Sequence, residues 1–225
     1  MGLDLLDTPV RLTWDFPDDA TGQAGVCLPA IASLIADGGV FFVTLQGSPL
    51  LHPAIEEVLE ILGGSCQLLI SSSGSADELE RLKQLPLAGC QILLDVSGFI
   101  DVKHGVAKDR LRAAILTLRQ LALEPVVSVT PLRNNLCNIP ELLCFCSECK
   151  IAKLKLPNAH IGDSFKVYST ADLPRWQDLD DFRKLWLDFM ENPCQLPTLE
   201  IHDLFLWEIM APGQQQSRGE YGGCQ

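Results

Sequence analysis

The sequence predicts an α/β protein whose parallel strands form a partial (β/α)6 barrel of the TIM-barrel type. Strand-like apolar segments recur about every 25 to 34 residues, the length of one strand and one helix. The runs 40–45, 67–71, 92–96 and 126–129 are short and almost wholly apolar, which is typical of strands buried on both faces of a parallel sheet. Crossovers of this length are right-handed, and six such units close into a barrel more naturally than into an open sheet. Periodicity alone leaves both arrangements open.

Helix signals lie between the predicted strands. A helix with Pro53 in its first turn ends at residues 63–64, which are both glycine. Ser75 is predicted to cap the next helix, whose first turn carries acidic residues. Residues 109–121 place apolar side chains on one face, and a further helix is predicted over residues 139–149. The strands are predicted to begin near Val10, Val40, Gln67, Gln91, Pro125 and Ile151.

The repeat weakens towards the C-terminus, and this predicts three parts. Residues 1–157 form the barrel and residues 158–211 form a C-terminal helical extension of it. The extension contains a predicted helix over residues 179–191, followed by an apolar segment, residues 199–210, whose type the pattern leaves open. Residues 212–225 are rich in glutamine and glycine and are predicted to be a flexible tail.

Composition and charge exclude several classes of function. The chain has 17 basic and 29 acidic residues, so its net charge is −12. Nucleic acids and anionic membrane surfaces need a basic surface, so neither is an expected partner. No apolar run reaches the roughly 18 residues that span a bilayer, and the N-terminus lacks the basic region of a signal peptide. Nine cysteines without an export signal indicate free thiols in a reducing cytoplasm, where we expect the protein.

The turn after the second predicted strand carries a recognisable motif. Gln46, Gly47, Ser48 and Pro49, followed by Leu-Leu-His-Pro, resemble the Gly-Gly-Glu-Pro turn of radical S-adenosylmethionine (SAM) enzymes. The resemblance implies that these four residues are SAM-binding positions, but two of them differ. Ser48 is neutral and short, so it cannot make the charge-assisted contact of the family's glutamate with the methionine ammonium. Gln46 adds a side chain where the family has glycine, although backbone N–H groups could still bind a nucleotide.

Other segments resemble the same family in the same order. Residues 9–16 resemble its first strand, and residues 69–74 lie where its third strand ends. Residues 93–98 resemble its fourth strand, residues 127–135 its fifth strand with the following asparagine, and residues 139–146 the next helix. The resemblance implies the radical SAM fold, which is a partial (β/α)6 barrel.

The cysteine motif that defines the family's chemistry is missing. Its reactive cluster needs three thiolates from one loop after the first strand, with the fourth iron left open. Between Phe16 and Leu34 this sequence has a single cysteine, Cys27, and no histidine. One thiolate cannot hold a [4Fe–4S] cluster, so we expect no cofactor in this chain and no radical SAM activity.

The C-terminal segments suggest a partner role. Residues 199–203 and 218–224 resemble the approach to a SPASM domain, the module that holds auxiliary clusters in peptide-modifying members of the family. Cys224 would be its first metal ligand, and we expect the module itself to be absent from this chain. A degenerate barrel with a SPASM start resembles the SPASM-domain partner proteins of GeoRSP-type peptide-maturation systems. This resemblance implies that the partner is a peptide precursor or an intact radical SAM enzyme. It also implies that a longer form of this protein, with a SPASM module, could hold a [4Fe–4S] cluster.

A second group of cysteines lies near residue 140. Cys137, Cys144, Cys146 and Cys149 could hold zinc or an iron–sulfur cluster, because thiolates bind both. On a helix, however, Cys144 and Cys146 diverge by about 200°. Only Cys146 and Cys149 share a face, so we favour small apolar thiols over a metal site.

Two further functions remain open. One is an enzyme of another class that uses polar residues at the C-terminal ends of the strands. Asp15, His52, Asp95 and Lys155 are its candidate catalytic residues, and a strand lysine such as Lys155 could form a Schiff base. The other is an electron-transfer subunit whose clusters lie beyond Cys224. The leading hypothesis is a catalytically degenerate accessory protein in peptide maturation.

Overall fold

The computed structural model describes residues 10–16, 27–101, 104–159 and 168–211. The strands are β1 (Arg11–Asp15), β2 (Phe42–Gln46), β3 (Gln67–Ser72), β4 (Gln91–Asp95), β5 (Ile100–Asp101), β6 (Gly105–Val106), β7 (Pro125–Ser128), β8 (Lys153–Leu156) and β9 (Thr198–Ile201). The helices are α1 (Leu28–Asp37), α2 (Ile55–Leu62), α3 (Ala76–Leu82), α4 (Lys108–Gln120), α5 (Ile139–Glu148), α6 (Trp176–Glu191) and α7 (Leu204–Met210).

Seven strands form one sheet in the order β1-β2-β3-β4-β7-β8-β9. Strands β1 to β4 pair in parallel in chain order, and β8 pairs in parallel with β9. The short strands β5 and β6 form a separate antiparallel ribbon. The prediction of an α/β protein with parallel strands is therefore confirmed. The sheet has one strand more than the six predicted, because the segment of open type, residues 199–210, contains most of β9 and then α7.

Burial alternates along β2, β3 and β4. In β2 the side chains of Val43 and Leu45 are fully buried, whereas Thr44 between them is half-buried. Strand β4 shows the same alternation, with Ile92 buried and Leu93 half-buried. The prediction of burial on both faces is therefore confirmed for β7, whose four residues are all buried, and wrong for β2, β3 and β4. An apolar run shows that a strand tolerates burial, but it does not fix how closely its second face is covered.

The chain divides into two compact units, each with its own core. Among the described residues, unit one contains 10–98 and 108–127, and unit two contains 99–107, 128–159 and 168–211. The predicted division after residues 157 and 211 stays a prediction. Within the described ranges, no helix combines the length and the apolar character of a membrane span. The core of unit one includes Leu45, Leu50, Ile55, Leu62 and Ile70, and that of unit two includes Leu142, Phe145, Leu154, Phe182 and Trp186.

Candidate functional site

The motif turn of unit one is tied to the first strand through its backbone. Asp15, the last residue of β1, lies opposite Gln46, the last residue of β2. The next residue, Phe16, donates its N–H to the carbonyl oxygen of Gln46 at 3.1 Å. Two of the predicted site residues, Asp15 and Gln46, are thus brought side by side at the C-terminal ends of neighbouring strands, where α/β proteins place their ligands.

Gly47 is required by the backbone of this turn. Its φ is +81°, in the left-handed region that side chains disfavour. A Cβ atom there would lie 2.8 Å from the carbonyl oxygen of Phe16, closer than van der Waals contact allows. The motif glycine therefore has a complete structural explanation that involves no cofactor.

The two residues after Gly47 differ in exposure. Ser48 is exposed, whereas Pro49 is buried and begins a single 3₁₀ turn, Pro49–Leu51. A neutral hydroxyl therefore occupies the position at which the resemblance requires a carboxylate. Among the described residues, the Gln46–Pro49 turn offers no negative side chain for an ammonium group. The side chains of the turn therefore do not fit the charge of the methionine moiety.

His52 fixes the start of α2. Its Nδ1 accepts a hydrogen bond from the N–H of Ala54 at 3.1 Å, so the neutral ring carries its proton on Nε2. The ring also lies edge-on to Phe16, with the ring centroids 5.6 Å apart. The candidate catalytic residue thus holds a turn backbone and packs on the end of β1.

A buried carboxylate that the sequence analysis missed organises the end of β3. Glu78, in α3, is only 4% exposed. Its Oε2 accepts hydrogen bonds from Ser72 Oγ at 2.9 Å, from Ser73 N at 2.7 Å and from Ser73 Oγ at 2.8 Å. Ser75 caps α3 as predicted, accepting from the N–H of Glu78. The Ser-x-x-Glu spacing of 75–78 is a capping-box signal that marks this glutamate.

Asp95 shapes the turn after β4. Its Oδ1 accepts from the N–H of Ser97 at 3.0 Å and from the Ser97 hydroxyl at 2.6 Å. The carboxylate is half-buried at the end of its strand. Like His52, this candidate catalytic residue accepts hydrogen bonds from the turn that follows it, which is how Asp commonly stabilises a turn.

The loop after β7 in unit two is held by one buried amide. Asn135 is 4% exposed, and its Oδ1 accepts from the N–H of Leu132 at 2.8 Å. Its Nδ2 donates to the carbonyl oxygen of Thr130 at 2.9 Å. The asparagine that resembles the family's residue after the fifth strand therefore shapes its own loop.

Charged residues meet on β8 and β9 of unit two. Lys155 lies opposite Glu200 in the strand register, and its Nζ is 3.2 Å from Glu200 Oε1. Lys153 Nζ contacts Glu200 Oε2, and His202 Nε2 lies 2.9 Å from Oε1. A lysine in an ion pair has no lone pair for attack on a carbonyl, so this contact weakens the Schiff-base hypothesis for Lys155. Sequence reasoning missed Glu200 because 45 residues separate it from Lys155 along the chain.

The surroundings of Glu200 lower its pKa to about 2. Partial burial acts in the opposite direction, since it disfavours the charged form. Hydrogen bonds from Lys153 and His202, together with the charges of Lys155 and Lys153, outweigh that effect. Glu200 is therefore ionised at all pH values at which the protein is expected to work.

We expect Glu200→Gln to flatten the acid end of the stability profile. A carboxyl whose pKa falls from 4.5 to about 2 on folding stabilises the native state above pH 4.5, and that stabilisation is lost as pH falls towards 2. With an allowance for partial solvent screening, the free energy of unfolding of the variant should fall by about 1 to 2 kcal/mol less than that of the parent between pH 4.5 and 2. Urea unfolding at pH 6, 4.5 and 3 measures the difference. Glu124→Gln, at an exposed pair with Arg119, is the control, and equal acid slopes in all three proteins would contradict the prediction.

The cysteines of α5 lie near a thiol that sequence reasoning missed. Cys146 is fully buried, and burial, with smaller contributions from Cys149 and Cys194, raises its pKa to about 12. Burial and a hydrogen bond with Cys144 raise the pKa of Cys194 to about 11. In the absence of a metal ion these two groups are therefore neutral thiols at neutral pH. Within the described ranges no group of three or more Cys, His, Asp or Glu side chains is placed to hold a metal ion, and Cys224 lies outside those ranges.

We expect Cys146 to resist alkylation. At pH 8 its thiolate fraction is very small and its side chain is inaccessible, so Cys137, which is exposed, should react with iodoacetamide roughly a hundredfold faster. Peptide mass spectrometry of a time course gives both rates. Comparable rates in the folded protein would show that α5 opens readily or that Cys146 is not buried.

The residues present do not fit the family's radical cluster. Cys27 is exposed and precedes the first turn of α1. It is the sole cysteine between Phe16 and Leu34, and residues 17–26 of that loop lie outside the described ranges. A cluster held by three protein thiolates therefore has one thiol available in this part of the chain.

Solved structures share the fold, although no family model and no curated protein matches the sequence. SuiB of Streptococcus suis bound to S-adenosylmethionine matches 97% of this chain with a TM-score of 0.63 and 17% identity. The same protein bound to precursor peptide SuiA matches 90% of the chain with a TM-score of 0.59 and 18% identity. The enzyme anSMEcpe with bound AdoMet matches 78% of the chain with a TM-score of 0.51 and 13% identity.

This likeness establishes the fold. The parallel α/β sheet is a partial barrel of the radical SAM type, as the sequence predicts. The chain spans about half the length of the structures it matches, namely 56%, 51% and 53% of the three.

Proposed function

We propose that this chain is a catalytically degenerate radical SAM-like accessory protein that binds a peptide precursor or a partner radical SAM enzyme in peptide maturation. The observation that carries the proposal is the turn of Gln46–Pro49. Gly47 has a φ of +81°, and a Cβ atom there would meet the backbone of Phe16. The position that would contact the methionine ammonium is the exposed hydroxyl of Ser48. A turn that has the motif's glycine and proline but lacks the cofactor's charge partner supports a binding role without SAM chemistry.

The peptide part of the proposal is supported by SuiB. That protein shares the fold and has been solved with precursor peptide SuiA bound. The polar residues at the strand ends of each unit provide groups that could hydrogen-bond an extended peptide. The proposal includes a cytoplasmic location and no cofactor in this chain, with a [4Fe–4S] cluster only in a longer form that uses Cys224.

Anaerobic reconstitution with iron and sulfide tests the loss of the radical cluster. We expect no stoichiometric iron and no absorption band near roughly 400 nm. About four irons per chain that disappear in Cys27→Ala would overturn the proposal and indicate an active radical enzyme. Iron that is insensitive to Cys27→Ala but lost in Cys146→Ala would instead place a metal site on α5.

A restored motif tests the cofactor turn directly. Equilibrium dialysis with radiolabelled SAM should show no saturable binding to the parent chain. The double variant Gln46→Gly with Ser48→Glu replaces both divergent positions and should gain measurable binding, since it supplies the carboxylate and removes the additional side chain. Ser48→Gln, which adds length without charge, is the matched control and should not gain it. Saturable binding by the parent chain would contradict the proposed degeneracy.

A further inference from the structure

Strands β8 and β9 bring a surplus of positive charge to one face of unit two. Lys153 and Lys155 both contact the carboxylate of Glu200, and His202 lies beside its Oε1. Two ammonium groups and one carboxylate leave a net charge of +1, while the whole chain carries −12. Local charge of the opposite sign to the net charge attracts a ligand that the net charge repels.

The two ammonium groups retain donors for a ligand. Each lysine has three N–H donors, and within the described ranges Glu200 is the partner that each of them contacts. The Lys155 side chain is 17% exposed and that of Lys153 is 40% exposed. Both side chains are therefore partly covered, and both retain some exposure to solvent. Such groups lose little conformational freedom when a ligand binds.

The position of the cluster in the fold is that of a ligand site. Lys155 is followed by one more residue of β8, and Glu200 by one more residue of β9. Lys155 and Glu200 thus lie near the C-terminal ends of parallel strands, the edge at which parallel α/β folds bind ligands, whereas Lys153 is the first residue of β8. The cluster lies on the half-buried face of β8, opposite the buried side chains of Leu154 and Leu156.

We propose that Lys153 and Lys155 form a binding site for a ligand carboxylate, which lies beside that of Glu200. A single negative charge neutralises the net charge of +1, whereas a phosphate dianion would leave an excess of negative charge. That the ligand is a peptide rests on the proposed function. An acidic side chain or the C-terminus of the peptide would supply the carboxylate. Glu200 keeps both lysines in place and at the same time competes with the ligand for them.

Two simple ligands test the site and the peptide separately. Acetate is followed by the NMR shifts of unit two, and a capped tetraglutamate by calorimetry, with capped tetraglutamine as the uncharged comparison. At about 0.15 M salt the repulsion from distant acids is screened. We expect tetraglutamate to bind, tetraglutamine not to bind, and Lys155→Met to weaken tetraglutamate binding at least tenfold. Lys184→Met removes an exposed lysine that pairs with Asp181 on α6, and it should change the affinity less than twofold.

Substitution of Glu200 gives the sharpest test. Glu200→Gln removes the competing carboxylate, so it should tighten binding of both acetate and tetraglutamate several-fold, whereas damage to the fold would weaken it. Lys153→Met, which keeps Glu200 in place, should weaken both. Thermal unfolding of each variant verifies the fold, and if Glu200→Gln is unfolded the two lysine variants decide.

Each result leads to a distinct conclusion. Acetate binding that depends on Lys155 without tetraglutamate binding would support the carboxylate site and count against the peptide ligand of the proposed function. If neither acetate nor tetraglutamate binds, or if Lys155→Met and Lys153→Met leave binding unchanged, the carboxylate site is overturned. The proposed function is then still tested independently by the iron and SAM experiments. Inorganic phosphate that binds more tightly than acetate would overturn the assignment to a carboxylate.

Discussion

Gly47→Ala is expected to destabilise unit one by about 3 kcal/mol. A left-handed backbone costs an L-residue roughly 1 to 2 kcal/mol. The new Cβ would also lie 2.8 Å from the carbonyl oxygen of Phe16. That oxygen belongs to the backbone, so the contact is relieved only if the end of β1 moves, which would lengthen the 3.1 Å hydrogen bond between Phe16 and Gln46. Strain and lost pairing add to the conformational cost.

Gly89→Ala is the matched control. Gly89 has nearly the same φ, +79°, but no heavy atom lies within 4 Å of the Cβ that alanine would add. Gly89→Ala should therefore lower the free energy of unfolding by only about 1 kcal/mol, the cost of the left-handed backbone for alanine. Urea unfolding, followed by far-ultraviolet circular dichroism, measures both. Equal losses in the two variants would show that the approach of Phe16 contributes nothing and that the left-handed backbone alone accounts for the motif glycine.

The fold was largely predictable because its signals are local and repeated. Runs such as residues 92–96, Ser75 as a helix cap and the one-sided apolar face of α4 all follow from neighbours in sequence. Strand β9 was harder to predict, since Thr198–Ile201 is short, and its side chains range from half-buried to exposed. A strand of this kind is specified by pairing with β8 rather than by its own composition.

The candidate site was predictable only in part. The turn of Gln46–Pro49 and the neighbouring Asp15 could be placed, because strand ends in a parallel sheet lie at one edge. The contacts of Glu200 with Lys155 and of Cys194 with Cys144 join residues about 45 to 50 positions apart. No local pattern encodes such a contact. The roles of His52 and Asp95 in their turns likewise depend on backbone geometry that residue identity does not fix.

Glu78→Ala is expected to cost about 3 kcal/mol, although the change removes a charge from an acidic protein and introduces a good helix former. The substitution leaves the hydroxyls of Ser72 and Ser73 and the N–H of Ser73 without their acceptor. Ser72 is 1% exposed, so water cannot readily replace the carboxylate there. Each buried donor that is left without a partner destabilises the protein by about 1 to 3 kcal/mol. The exposed Ser73 can turn to water, which reduces the total.

The neighbouring residue Glu80 separates this effect from a general effect of charge on α3. Glu80 pairs with Lys83 at an exposed site, and Glu80→Ala should change stability by less than about 0.5 kcal/mol. Glu78→Gln keeps an acceptor oxygen but loses its charge, so it should lie between the two. Chemical denaturation gives the free energy of unfolding of the three variants and thus their order of stability. If Glu78→Ala were as mild as Glu80→Ala, the end of β3 would be held by packing alone, and the strand end could rearrange around a ligand. A loss near 3 kcal/mol would show that this edge of unit one is preorganised.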